Sequence, residues 1–155
     1  MRPVTVSLAL LMIASAQSPT ALKLRGVWVL DTTTSRLGRP ALPPPFAISL
    51  VPTRLGVKLI QISKAHPGHA VVVYDYTVEP DTRDGGNSLA GPSRSMSAFR
   101  ARCKSDKCAR SDEKWLLSDD GLRLVIEREL AGAPQPEKQI LYFARSDSGS
   151  ALTTY

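Results

Sequence analysis

The chain has little of what most protein chemistry needs. Two cysteines and two histidines in 155 residues rule out a multi-disulfide scaffold and a cysteine-rich zinc site. His66 and His69 stand three apart around Pro67-Gly68, with no Cys, Asp or Glu adjacent. That falls short of a tetrahedral ligand set and predicts no metal site. The Gly-x-Ser-x-Gly elbow, the Walker glycine loop and the dinucleotide fingerprint are all missing, so nucleophilic and phosphate-cradling chemistry has no positive support. The sequence accordingly predicts no catalytic residue, no cofactor and no enzyme. A strong excess of one charge is also lacking. The formal net charge is +6, the basic residues are spread along the chain, and no aromatic-basic RNA-binding signature occurs, which argues against a nucleic-acid partner.

Long apolar runs are scarce too, and the only one opens the chain. Arg2 supplies a positive start, Val4 to Ala14 an uncharged run, and Ala14-Ser15-Ala16 the small-x-small pattern of a cleavage site. Residues 1–16 therefore read as a secretory signal helix, cut before Gln17. The run is too short to cross a bilayer, which takes about 20 residues, and no Cys follows to carry a lipid. No later stretch is apolar enough to span a membrane. The expected mature chain, 17–155, is a single domain with its core over about 25–145 and a frayed tail over 146–155. Its location would be periplasmic or extracellular.

What is abundant is punctuation. Proline and glycine recur between short runs that alternate or are β-branched and aromatic, the signature of many short strands. Strands are expected over 26–31, 46–51, 57–64, 70–78, 97–103, 108–118, 122–130 and 138–145. In the third, the apolar phase shifts from Val57 and Leu59 to Ile60 and Ile62, which predicts a bulge or a segment buried on both sides. Thr32 to Ser35 allows one helical turn, and Leu42-Pro43-Pro44-Pro45 is an extended connector. Asp119-Asp120-Gly121 marks a turn, and the polar stretch 79–95 is the longest loop. About eight strands joined by short connections predict an all-β fold, a mostly antiparallel up-and-down barrel, with a two-sheet sandwich as the alternative.

Cys103 and Cys108 flank the four-residue Lys104-Ser105-Asp106-Lys107. At a hairpin tip that spacing sets the two residues opposite one another, within disulfide reach. The spacing is not the Cys-x-x-Cys of redox motifs, so a structural disulfide is expected. Trp28 in the first strand and Arg145 in the last would be neighbours in a closed barrel, where the guanidinium could stack on the indole. The other reading leaves Trp28 as plain core and Arg145 as a surface charge.

The Gly26-Val27-Trp28 opening, the eight-strand pattern and the Arg of the terminal strand resemble the lipocalin or calycin superfamily. Gly26 to Asp31 with Ser35-Arg36, Leu42 to Pro45, Ser118 to Leu122 and Ile140 to Phe143 are similar to a group of small exported bacterial lipocalin-like proteins, which carries no activity to transfer. Val27 and Val29 replace the polar neighbours usual around that tryptophan, and the cysteine pair is not part of the pattern.

From these residues, the leading expectation is a non-enzymatic barrel that accommodates a small apolar or amphipathic molecule. Trp28, Tyr74, Tyr76, Trp115, Tyr142 and Phe143 are its candidate lining, because aromatics combine large contact area with a polar handle. Ordinary core packing is the alternative for each. The runner-up function is a filled barrel that acts as an interaction module with an envelope protein, through the 79–95 loop and Arg94, Arg100, Arg102, Lys104, Lys107 and Arg110. One stability consequence follows from the short loop between the cysteines. Replacing both by Ser should cost only about 2 kcal/mol and lower the melting temperature by several degrees with the fold intact, as read by calorimetry and circular dichroism.

Overall fold

A computed structural model of the chain describes residues 17–38, 44–62, 70–82, 96–106, 108, 112–130 and 137–146. A short helix α1 (Pro19–Leu24) leads into eight strands: β1 (Gly26–Leu30), β2 (Ala47–Pro52), β3 (Gly56–Ile62), β4 (Ala70–Pro80), β5 (Met96–Cys103), β6 (Asp112–Ser118), β7 (Arg123–Leu130) and β8 (Glu137–Ser146). Each strand pairs antiparallel with the next, and β8 returns to pair with β1, so the sheet closes into one barrel. The sandwich alternative is thereby excluded. The leader at 1–16, residues 39–43 including the start of the Leu42–Pro45 connector, the His66/His69 turn and most of the 79–95 loop lie outside the described residues.

Alternation builds the interior. Trp28 and Leu30 of β1, Ile48 and Leu50 of β2, Val57 and Leu59 of β3, and Tyr76 and Val78 of β4 all point into one core. Phe99 and Ala101, Trp115 and Leu117, Leu124 and Ile126, and Leu141 and Phe143 continue it around the ring. These residues are 0 to 8% exposed, so the lumen along these levels is filled by side chains, as an eight-stranded barrel permits. The register of β3 against β4 shifts between Gln61 and Ile62, where pairing skips from Val72 to Ala70. The extra residue, Val71, is on β4, whereas β3 itself pairs residue by residue through Leu59 and Ile60, where the apolar phase of its sequence shifts.

Up-and-down order divides the connections between two ends. Helix α1 and the β2–β3, β4–β5 and β6–β7 connections share one end. The β1–β2, β3–β4, β5–β6 and β7–β8 connections share the other. α1 was not evident from periodicity, because six residues cannot show any. Pro19 fits the first helical turn, where no N–H partner is needed. Ala21 and Leu24, three apart and both wholly buried, then plug the barrel against β2, β3 and β4.

At the opposite end, Asp31 organises the exit from β1. Its carboxylate accepts hydrogen bonds from the Thr33 and Thr34 hydroxyls at 2.6 and 2.7 Å and from the Thr33 amide at 2.9 Å. The Ser35 amide donates to the Asp31 carbonyl at 3.1 Å, closing one helical turn. These donors, the Thr33 hydroxyl foremost, hold the Asp31 pKa down to about 2. The β5–β6 tip carries the Cys103–Cys108 disulfide, with Cα atoms 6.3 Å apart.

Gly56 opens β3 at a point of close strand approach. A Cβ there would collide with the carbonyl oxygen of Tyr76 and press on Thr77 Cα at 2.9 Å. Backbone cannot give way as a flexible side chain can. Gly56→Ala should therefore cost about 3 kcal/mol, measured as a drop in denaturation midpoint with the same denaturant slope.

Candidate functional site

The two ends of the lumen differ in chemistry. At the α1 end, Trp28 is fully buried and its indole Nε1 donates to the Leu24 carbonyl at 3.0 Å. Arg145, opposite Trp28 in the β1–β8 register, places its guanidinium carbon 4.5 Å from the indole centroid. Its Nε donates to the Gly121 carbonyl at 2.7 Å, and its two terminal nitrogens donate to the Arg25 and Lys23 carbonyls, each at 2.9 Å. Gly26 takes φ +146°, and a Cβ there would meet the Arg145 guanidinium at 3.4 Å. Glycine at that position lets the chain enter β1 beneath the arginine. Among the described residues, α1 seals this end, and all three Arg145 nitrogens are engaged by backbone carbonyls.

The other end holds polar side chains on the inward phase. Glu113 alternates with Trp115 and Leu117 in β6, and among the described residues it is the one buried carboxylate. Tyr76 Oη donates to Glu113 Oε1 at 3.1 Å, and Trp115 Nε1 donates to Glu113 Oε2 at 2.8 Å. The rings of Tyr76 and Trp115 lie 5.1 Å apart, tilted by 47°. Arg128, on the inward phase of β7, brings a terminal nitrogen to 3.8 Å from Glu113 Oε1. Its Nε donates to Gln139 Oε1 at 2.6 Å, and Gln139 Nε2 donates to the Leu37 carbonyl at 2.8 Å. A polar chain thus runs Tyr76–Glu113–Arg128–Gln139–Leu37 and ties β4, β6, β7 and β8 to the β1–β2 connection.

That connection is strapped to β8 at two further points. Arg36 and Ile140 exchange backbone hydrogen bonds at 2.8 and 2.9 Å, and the Tyr142 amide donates to Ser35 Oγ at 2.9 Å. Leu37, Tyr74 and Cys103 are half-buried and each packs against the core. With Val72, these residues are where the inward-facing surface remains partly open to solvent. The arrangement offers a small polar site with both a carboxylate and a guanidinium, bordered by an aromatic and aliphatic rim.

The residues singled out from the sequence distribute as follows. Tyr76 and Trp115 meet at Glu113, Tyr74 stands at the rim, Phe143 packs in the lumen, and Trp28 belongs to the sealed end. Tyr142 departs from the expected lining. Leu141 and Phe143 take the two inward positions, and the period of two sends Tyr142 to the outer face, half-buried. Of the basic stretch, Arg94, Lys107 and Arg110 lie outside the described residues. Lys104 is exposed, Arg102 pairs with Asp112 at 2.9 Å, and Arg100 lies between Glu79 and Lys114 in the ladder. That wall therefore carries interleaved charges. Glu113, Arg128 and Gln139 were missed. Their signal was present as polar residues sitting on the apolar phase of β6, β7 and β8.

Comparison with protein families, curated proteins and solved structures returns no match to this chain.

Burial foremost, then the nearby Glu113 carboxylate and the hydrogen bond to it, raises the Tyr76 pKa above the ordinary tyrosine value. A group whose pKa is raised on folding contributes stability that is complete below its unfolded pKa and fades as pH climbs past it. Stability should thus decline as pH rises above about 10, and Tyr76→Phe should flatten that decline, as read from melting temperature against pH.

Proposed function

We propose that the chain is an exported, non-enzymatic, lipocalin-like binding domain that takes a small amphipathic molecule at the open end of its barrel. The observation that carries this reading is the Glu113–Arg128 cluster, placed inside an otherwise apolar barrel and bordered by the half-buried rim of Val72, Tyr74 and Cys103. Buried polar groups are costly, and a core built only for stability would do without them. The apolar part of the ligand would lie along Tyr74 and Leu37. Its polar part would reach the guanidinium of Arg128, whose side chain is 21% exposed. Below that level the lumen is filled, so the ligand is expected to sit in the mouth and go no deeper.

Residence in the periplasm or outside the cell accords with the Cys103–Cys108 disulfide, which needs an oxidising compartment to persist, and with the signal-like residues 1–16. The filled lumen also favours the second reading, a ligand-free barrel that works through its surface in the cell envelope. Native mass spectrometry on protein taken from its own cells separates the two. The expected result is an adduct of lipid-like mass that Arg128→Ala, by loss of one charge-assisted contact, or Tyr74→Ala, by loss of buried apolar area, reduces about tenfold or more in occupancy. A clean apo mass after gentle handling would overturn the ligand reading.

A further inference from the structure

Among the described residues five large apolar side chains are exposed; three of them are leucines, and all three fall at the sealed end of the barrel. Leu22 on α1 is 47% exposed, Leu55 in the β2–β3 turn 66%, and Leu122 at the β6–β7 turn 49%. The other two, Val51 and Val73, are in strands. Each leucine adjoins an exposed basic residue in the chain: Leu22 precedes Lys23, Leu55 follows Arg54, and Leu122 precedes Arg123. Arg25 adds a further exposed cation.

The β2–β3 and β6–β7 turns sit on opposite sides of the ring, and Arg145 is what draws the end together. Its guanidinium holds the Lys23 and Arg25 carbonyls together with that of Gly121, and its own amide donates to the Leu122 carbonyl at 2.9 Å. The same arginine thus fixes the β6–β7 turn beside the C-terminus of α1. Among the described residues, the acidic groups at this end are Glu79, Asp81, Asp119 and Asp120. The Leu122 amide donates to the Asp120 carboxylate at 2.9 Å, and the Ser118 hydroxyl also donates to it, so that charge is turned into its own loop.

We propose that this end is a docking surface for an anionic phospholipid bilayer, with Leu22, Leu55 and Leu122 entering the interface and Lys23, Arg25, Arg54 and Arg123 meeting the head groups. Single apolar side chains on a helix and two turns, each flanked by a cation, match the two forces that bind a protein to such a surface, apolar insertion and attraction to its negative potential. A protein partner would ask instead for a contiguous apolar patch with shape complementarity. Leucines separated by cations and set on three different connections do not supply one. The surface is remote from the open end, so a barrel seated this way keeps its mouth turned from the membrane.

The test is co-sedimentation of the protein, as cells accumulate it, with vesicles of phosphatidylcholine alone and with vesicles containing phosphatidylglycerol. Binding is expected to the anionic vesicles and to weaken as salt rises from about 0.05 to about 0.5 M. Leu55→Ser with Leu122→Ser should lower the partition coefficient by about tenfold or more, and Arg54→Glu with Arg123→Glu should do the same, whereas Val73→Ser on the barrel wall should not. Reading differences between variants cancels any contribution from residues 1–16. Indifference to phosphatidylglycerol, an equal loss with Val73→Ser, or leucine-dependent self-association without vesicle binding would each overturn the proposal.

Discussion

The pairing of β8 with β1 is the constraint on which the rest of the molecule rests. Seven of the eight ladders join strands adjacent in the chain, and only this one spans the whole domain. By closing the ring it removes both sheet edges and their unpaired backbone groups. It also sets Trp28 against Arg145, so the guanidinium can lie over the indole while its donors collect carbonyls from α1 and the β6–β7 turn. Such a stack is worth about 1–2 kcal/mol when shielded from water. Its larger effect is geometric, since helix, strand and turn are all referenced to one side chain.

Closure also decides what the lumen can hold. With two tryptophans wholly buried and leucine, isoleucine and phenylalanine between them, the interior packs from the α1 end upward. Polar residues are tolerated inward only where they satisfy one another. Glu113 takes donors from two aromatics, and Arg128 lies near it while donating to Gln139, which passes its own donor to Leu37. Gln139, fully buried, has both ends of its amide engaged. The strap over the mouth is thus held by the same network that places charge inside the barrel.

Much of the architecture was legible because strands bounded by glycine, proline and aspartate turns announce themselves at period two. Leu124 and Ile126 of β7 showed their inward face, whereas the phase change in β3 did not locate the irregularity, whose extra residue is Val71 of β4. Tyr142 stands outside because parity outranks aromatic character, and Leu141 and Phe143 on either side claim the inward positions. The short helix was hidden, since six residues give no helical period and Pro19 looks at first like a breaker. The polar cluster was hidden for another reason. Glu113, Arg128 and Gln139 become partners only through the order of β6, β7 and β8 around the ring, and a charge in a strand reads by default as solvent-facing.

The antiparallel return of β8 sets Ser146 beside Val27, so the beginning and the end of the strand set are spatial neighbours on one rim. A ring of nearest-neighbour hairpins has no privileged seam. Ligating those neighbouring ends and cutting the β2–β3 turn instead would leave every ladder drawn as it is now, and would turn the longest-range contact of the chain into a local one. With α1 kept in the joining segment, so that Ala21 and Leu24 still plug the barrel, the order of assembly could then be rewritten while the interior side chains stay the same.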